Sequence, residues 1–260
     1  MRLIFILFTF LMGCDPAFAK VDPPFFIQHA IDVIEATYGD RVEIKPKTLL
    51  KFGRSDQVSS STFTTLMDLP SGTLNETYVS SDLITHISSS SASDTVEISL
   101  EGHICLPNGD RVFRSETVTL QGQTKVALPI PLCRSTRMFN NNSTDLVGTV
   151  YVYEDVSVTN GVPQTDSAVH LMIPAGRNQS RKAATTISAK DYYIVTGIAA
   201  SVETKSGSPI AEIQVQSRQL NKVYRTVAVA AVATAGSTFI KVKVEPPIII
   251  PKNADVRLRA

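Results

Sequence analysis

The chain has no tryptophan, only three cysteines, four scattered histidines and no long block of one charge. Each shortage removes a class of function. Lysine and arginine number 25 against 24 acids, for a net charge of +1, so the whole chain is not built to hold nucleic acid or another polyanion. His29, His86, His103 and His170 form no HxH or HExxH pair, and GxSxG, GxxxxGK[ST] and GxGxxG motifs are missing. His103 and Cys105 lie two apart on a strand and share a face. They are the one ligand-like pair, and two ligands fall short of the four of a structural zinc site. No metal, cofactor or catalytic residue is therefore expected. Cys105 and Cys133 lack CxxC spacing; buried thiols are the favoured reading and a disulfide is permitted.

No apolar run reaches the roughly 20 residues of a bilayer-spanning helix. The nearest, Leu3 to Met12, is interrupted only by Thr9, follows the single cation Arg2 and precedes small residues, which is the layout of an export signal. Two processing sites compete. Ala17-Phe18-Ala19 places small residues for cleavage after Ala19, and Leu11-Met12-Gly13-Cys14 is similar to a lipobox that would make Cys14 an acylated amino terminus. The other reading is a misassigned start, with Val21 as the true first codon.

What is present is strand. Serine, threonine and valine are abundant, and 260 residues suit one large or two ordinary domains. Asp22-Pro23-Pro24 opens a helix whose apolar residues Phe26, Ile27, Ala30, Ile31, Ile34 and Tyr38 recur at helical spacing until Gly39. That face is expected to cover a sheet of its own chain. Period-two alternation follows in Val42 to Lys45 and Val96 to Leu100, and Val118 to Leu128 reads as a hairpin around Gln121-Gly122-Gln123. Asn108-Gly109 and Asn160-Gly161 are tight-turn signals. The serine run before Asp94 reads as a loop inside a domain. Strand patterns continue at 168–173, 182–187, 192–199, 210–217, 223–230, 239–244 and 256–258. The expected fold is all-β and mainly antiparallel: two β-sandwich or barrel-like domains with one short amino-terminal helix. The expected divisions are a leader at 1–20, the helix at 21–40, a β-rich domain at 41–160 and a β-sandwich at 165–260.

Asp94, Glu97 and Glu101 could be imagined as paired glycosidase acids, but Glu97 and Glu101 fit better as the solvated side of a strand. Pro246-Pro247 and Pro251 bracket Ile248-Ile249-Ile250, which suits a sheet edge. If exposed, Ile248, Ile249 and Ile250 form a contact surface; if buried, ordinary core. Arg257 and Arg259 fall on the wet side of a final strand and join them as a candidate interface.

Several segments occur in a fixed order: Lys51-Phe52-Gly53-Arg54, Ile87 to Thr95, Glu101-Gly102, Thr117 to Gln123, Gly148 to Asp155, Ile173 to Ser180, and Pro251-Lys252-Asn253 with the arginines that follow. Together, over about residues 48 to 260, they resemble a family of tailed-bacteriophage virion proteins common in marine phages. The resemblance implies a non-enzymatic structural component, stationed as a head decoration, head fibre or neck or tail component. Its implied partners are other virion proteins, chiefly the major capsid protein or neck and tail proteins, and further copies of this chain. No nucleic-acid partner is expected, and a membrane only if the leader is a genuine signal. A protein assembled into virions in the host cytoplasm has no use for export. The leader therefore points instead to a periplasmic, exported or lipid-anchored binding module.

Overall fold

The computed structural model describes residues 6–10, 25–39, 51, 53, 62–70, 73, 75–79, 81–203, 210–233 and 237–260. The expected strand at Val42 to Lys45 and the processing residues Cys14 and Ala19 lie outside them. The chain begins with strand β1 (Ile6–Phe10) and helix α1 (Phe25–Tyr38). Ile31 and Ile34 of the expected apolar face are buried, and the helix packs on a strand of its own chain, Ser237–Ile250. It stops where the Gly39 amide donates to the Glu35 carbonyl. Among the described residues no helix is long and apolar enough to cross a membrane.

The strands that follow are β2 (Ile84–Ser89), β3 (Glu97–Cys105), β4 (Arg111–Thr119), β5 (Val126–Leu132), β6 (Arg134–Asn140) and β7 (Val150–Glu154). A short hairpin, β8 (Val158–Thr159) and β9 (Val162–Pro163), leads to β10 (Val169–Ile173). β11 (Ala184–Thr186), β12 (Tyr193–Glu203), β13 (Ile210–Arg218), β14 (Arg225–Ala233), β15 (Ser237–Ile250) and β16 (Asp255–Arg259) complete the chain. Every described strand pairing is antiparallel, so the fold is all-β as the alternation requires.

Two sandwiches of similar build result. In the first, the sheet β10-β7-β2-β5 faces β4-β3-β6. Ile84, Ile87, Val150, Val152 and Leu171 from one side meet Ile98, Leu100, Val118 and Met138 from the other. In the second, β1-β12-β15 faces β11-β16-β13-β14 around Val195, Ile198, Ile213, Val215, Val256 and Leu258. Each fully buried side chain of this size contributes about 1.5–3 kcal/mol by leaving water.

The turns fall where their residues demand. β3 and β4 are joined through Asn108-Gly109, and β8 and β9 through Asn160-Gly161, where both residues take positive φ (49° and 74°), the conformation of a two-residue hairpin turn. The serine run is a loop within the first sandwich. It is held by Asp94, whose carboxylate accepts from the amides of Val147 and Gly148, each at 2.9 Å.

Two expectations are corrected. The hairpin across Gln121-Gly122-Gln123 has its tight turn, with the Thr124 amide donating to the Gln121 carbonyl at 3.1 Å. Its arms nevertheless part: β4 pairs with β3 and β5 with β2, in opposite sheets. Alternation reports only that one face is buried, and both inner faces of a sandwich satisfy it. The division at residues 160–165 also fails. β10 pairs with β7, and Leu171 and Ile173 enter the first core, while Leu66, from the segment assigned to the first domain, sits in the second core. The Leu66 amide donates there to the Leu258 carbonyl at 3.0 Å, so the chain crosses the boundary more than once.

Cys105 and Cys133 are bonded, with Cα atoms 5.8 Å apart, against the favoured reading as thiols. β3 and β6 are neighbours in one sheet, and that pairing brings the cysteines together, which spacing alone cannot reveal. The bond closes a loop with a sequence separation of 28, for which chain entropy gives about 3–4 kcal/mol. Cys105→Ser, or reduction of the native protein, is expected to lower unfolding stability by about that amount in urea; a midpoint unchanged by reductant would refute it.

Candidate functional site

The most unusual feature is a seam of buried charge where the two sandwiches meet. Val256 and Leu258 of β16 turn into the second core, so Asp255 projects from the opposite face of the strand. It meets Arg134, the first residue of β6. Arg134 Nε and Nη2 donate to Asp255 Oδ1 and Oδ2 at 2.9 and 3.1 Å, and Nη1 donates to the carbonyls of Val79 and Cys133 at 2.6 and 2.7 Å. Thr186 Oγ1 at 2.7 Å and Arg218 Nε at 3.1 Å complete the donors to this carboxylate. The two side chains are 5% and 6% exposed. Burial opposes both charges, but the two-pronged contact outweighs it, holding Asp255 below the ordinary carboxylate range and Arg134 above its ordinary value.

Aromatic rings extend the seam. The Arg134 and Arg218 guanidinium groups lie 4.9 and 4.4 Å from the centre of the Tyr78 ring, and Arg257 lies 3.7 Å from that of Tyr224. On the first sandwich's side, Lys182 Nζ donates to Glu76, to the Ser135 carbonyl at 2.6 Å and to the His170 carbonyl at 3.3 Å. Lys51 Nζ donates to the Thr136 carbonyl at 3.0 Å, and burial lowers its amine to about 7. His103 Nε2 faces Ser188 Oγ at 3.3 Å. Burial, reinforced by the Lys51 charge, lowers this imidazole to about 3 and keeps it neutral. The missing side chain of Gly102 makes room for the Arg134 carbonyl, which would otherwise lie 2.3 Å from a Cβ.

The candidate interface residues do not gather on one free surface. Ile250 is buried in the second core, Ile248 packs against it and Ile249 is half-buried. They continue β15, an edge strand, as the flanking prolines indicate. Arg257 and Arg259 do share one side of β16, but both are half-buried. Arg257 Nε donates to Gln216 Oε1 at 3.0 Å, and Arg259 Nη2 donates to Asn75 Oδ1 at 2.7 Å and to the Phe63 carbonyl. Of the imagined acids, Asp94 is the buried loop clamp, Glu97 is exposed and Glu101 is half-buried. His103 is buried and Cys105 is bonded to Cys133, so their shared face gives no ligand pair. Asp82, Cys105 and Cys133 are close enough to hold an ion, yet both sulfurs are used in the disulfide.

A cleft of about 370 Å³ opens beside β7 and β10, lined in part by Leu69, Pro70, Tyr151, Pro163, Asp166 and Met172. It offers one carboxylate with no histidine, lysine or cysteine in its lining. The seam itself was not singled out in the sequence. Its signal was there in Arg134-Ser135-Thr136-Arg137, a strand without apolar alternation, and in Lys182 and Asp255, each set beside apolar residues of a strand. No family model matches the chain, and no curated protein or solved structure matches it either.

Chemically, the seam can hold two bodies in one register, since its principal charges pair across it. Breaking a buried pair strands a charge, so Arg134→Met and Asp255→Leu are each expected to cost about 3–5 kcal/mol, with the double variant costing less than their sum. Urea unfolding of the four proteins measures this, and strict additivity would exclude the coupling. Acid sensitivity follows from His103, whose folded pKa is about 3 against about 6.5 unfolded. Unfolding takes up a proton between those values, so this contribution is complete above pH 6.5 and lost as pH falls toward 3, at up to about 1.4 kcal/mol per pH unit. Asp255, held low, adds its own loss only as pH falls below about 3.9. His103→Gln is expected to flatten the stability profile between pH 6.5 and 4; parallel profiles for the two proteins would contradict the assignment.

Proposed function

We propose that the chain is a non-enzymatic structural component of a phage virion, which oligomerises and binds the capsid or the neck and tail as a decoration or stabilising protein. The observation that carries this reading is where the family-like segments meet. Ile87 to Thr95, Thr117 to Gln123 and Gly148 to Asp155 interlock in one knot. The Gly148 amide donates to Asp94 Oδ2 at 2.9 Å, the Thr149 amide to Ser90 Oγ at 2.8 Å, the Gly122 amide to the Asp94 carbonyl at 2.9 Å and Gln123 Nε2 to the Ser90 carbonyl at 2.9 Å. The remaining segments also serve as ties. Lys51 reaches Thr136, Ser180 Oγ accepts from the Met138 amide at 2.9 Å, and Asn253 Oδ1 accepts from the Arg111 amide at 2.8 Å. The residues that carry the resemblance thus bind elements to one another. That suits a protein whose task is to hold a shape among many copies, where weak contacts add through avidity.

The disulfide favours a second reading, an exported or lipid-anchored β-sandwich binding module, because such bonds persist in oxidising compartments. Intact-mass analysis of the natural protein from purified particles separates the two. The virion reading expects the chain in clean particles at fixed stoichiometry, beginning at Met1 or at Val21. Absence from particles, or a mature chain beginning at Cys14 or Lys20, would overturn it in favour of the exported module.

A further inference from the structure

Sheet edges carry unpaired backbone donors and acceptors, and proteins commonly protect them with charge, proline or shortness. Of the described edge strands longer than five residues, nearly all show such protection. β4 carries Arg111, Arg114 and Glu116, β5 carries Pro129 and Pro131, and β6 carries Arg134 and Arg137. β15 carries Lys241, Lys243, Glu245, Pro246 and Pro247. β14 is the exception: it is nine residues long, and from Thr226 to Ala233 it contains no charge and no proline. Among the described residues it pairs with β13 on one side only. Its inner residues Ala230 and Val232 are buried in the second core, while Val229, 53% exposed, and Ala231 face outward.

We infer that β14 is a self-association edge, pairing antiparallel with β14 of a second copy of this chain. The inference rests on the reading of the protein as an oligomerising component and assigns a surface to it. A strand that meets itself about a two-fold axis must tolerate its own sequence in reverse. Centred on Val229, the pairing sets Arg225 opposite Ala233 of the second copy, Thr226 opposite Val232, Val227 opposite Ala231 and Ala228 opposite Ala230. No position then places like charges together. The charges and prolines on the other long edges are the usual guards against such pairing, and β14 lacks them from Thr226 onward. The product is a continuous eight-stranded sheet from two four-stranded ones. Pairing along one edge buries less than the roughly 1,200 Å² of a stable complex, so micromolar self-association is expected, to be multiplied in an assembly.

Sedimentation velocity of the full chain across the micromolar range tests this. The wild type is expected to show a reversible dimer, and the double variant Val229→Lys, Ala231→Lys to associate at least about tenfold more weakly, since lysine is a common edge blocker. Both positions are exposed, so the urea midpoint of the variant is expected to match that of the wild type. Val223→Lys, at a residue 74% exposed just outside the strand, is expected to leave association unchanged. A wild type that stays monomeric, or a double variant that folds and associates like the wild type, would overturn the edge pairing. Either outcome leaves the particle-membership measurement to decide the virion reading separately.

Discussion

The bond between Arg134 and Asp255 is the constraint on which the arrangement of the two sandwiches depends. Arg134 belongs to the first and Asp255 to the second, and the pair joins residues 121 apart in sequence. A carboxylate this deep in protein is costly to leave alone. It is tolerable only where Arg134, Arg218 and Thr186 are all in place, which fixes the relative positions of β6, β11, β13 and β16. An apolar joint would have been comparably stable, but apolar contacts are non-directional, and a two-pronged guanidinium–carboxylate contact admits one orientation.

The surrounding parts share that logic. Lys182 and Lys51 are held by backbone carbonyls of β6, Ser135 and Thr136, so the strand that carries Arg134 is pinned along its length. The disulfide ends at Cys133, the residue before Arg134, whose own carbonyl accepts from the Arg134 side chain. Burial keeps His103 neutral among these cations, where a further positive charge would work against the seam. The same strand region is thus fixed by covalent, ionic and hydrogen-bonding means, and Gly102 of β3 lies close against it.

Much of the architecture was legible in the chain. The strands at 182–187, 192–199, 210–217, 223–230 and 239–244 are present because a pleated strand buried on one face must alternate. The helix through Ile31 and Ile34 follows from its 3.6-residue period, and the Asn-Gly turns from the positive φ they tolerate. The prolines around Ile248 to Ile250 marked an edge because proline cannot donate to a ladder. Less legible were the partners. Val118 to Leu120 and Val126 to Leu128 have the pattern of hairpin arms and belong to opposite sheets, and the apparent break at residues 160–165 is a small hairpin inside the first sandwich. The seam was hardest to see, because isolated charges such as Lys182 and Asp255 look like solvated positions until their partners, tens of residues away, are known.

The sequence by itself determined that this is an antiparallel β protein with one amphipathic helix, and where its tight turns fall. Those properties depend on neighbours within a few residues: side-chain period, proline and glycine. Only the tertiary structure decided which sheet each strand joins, that Cys105 meets Cys133, that Leu66 crosses into the second core, and that Arg257 and Arg259 are spent within the chain. Contacts of that kind depend on the closure of long loops and on the mutual fit of distant faces, and the local pattern of apolar and polar residues carries no record of either.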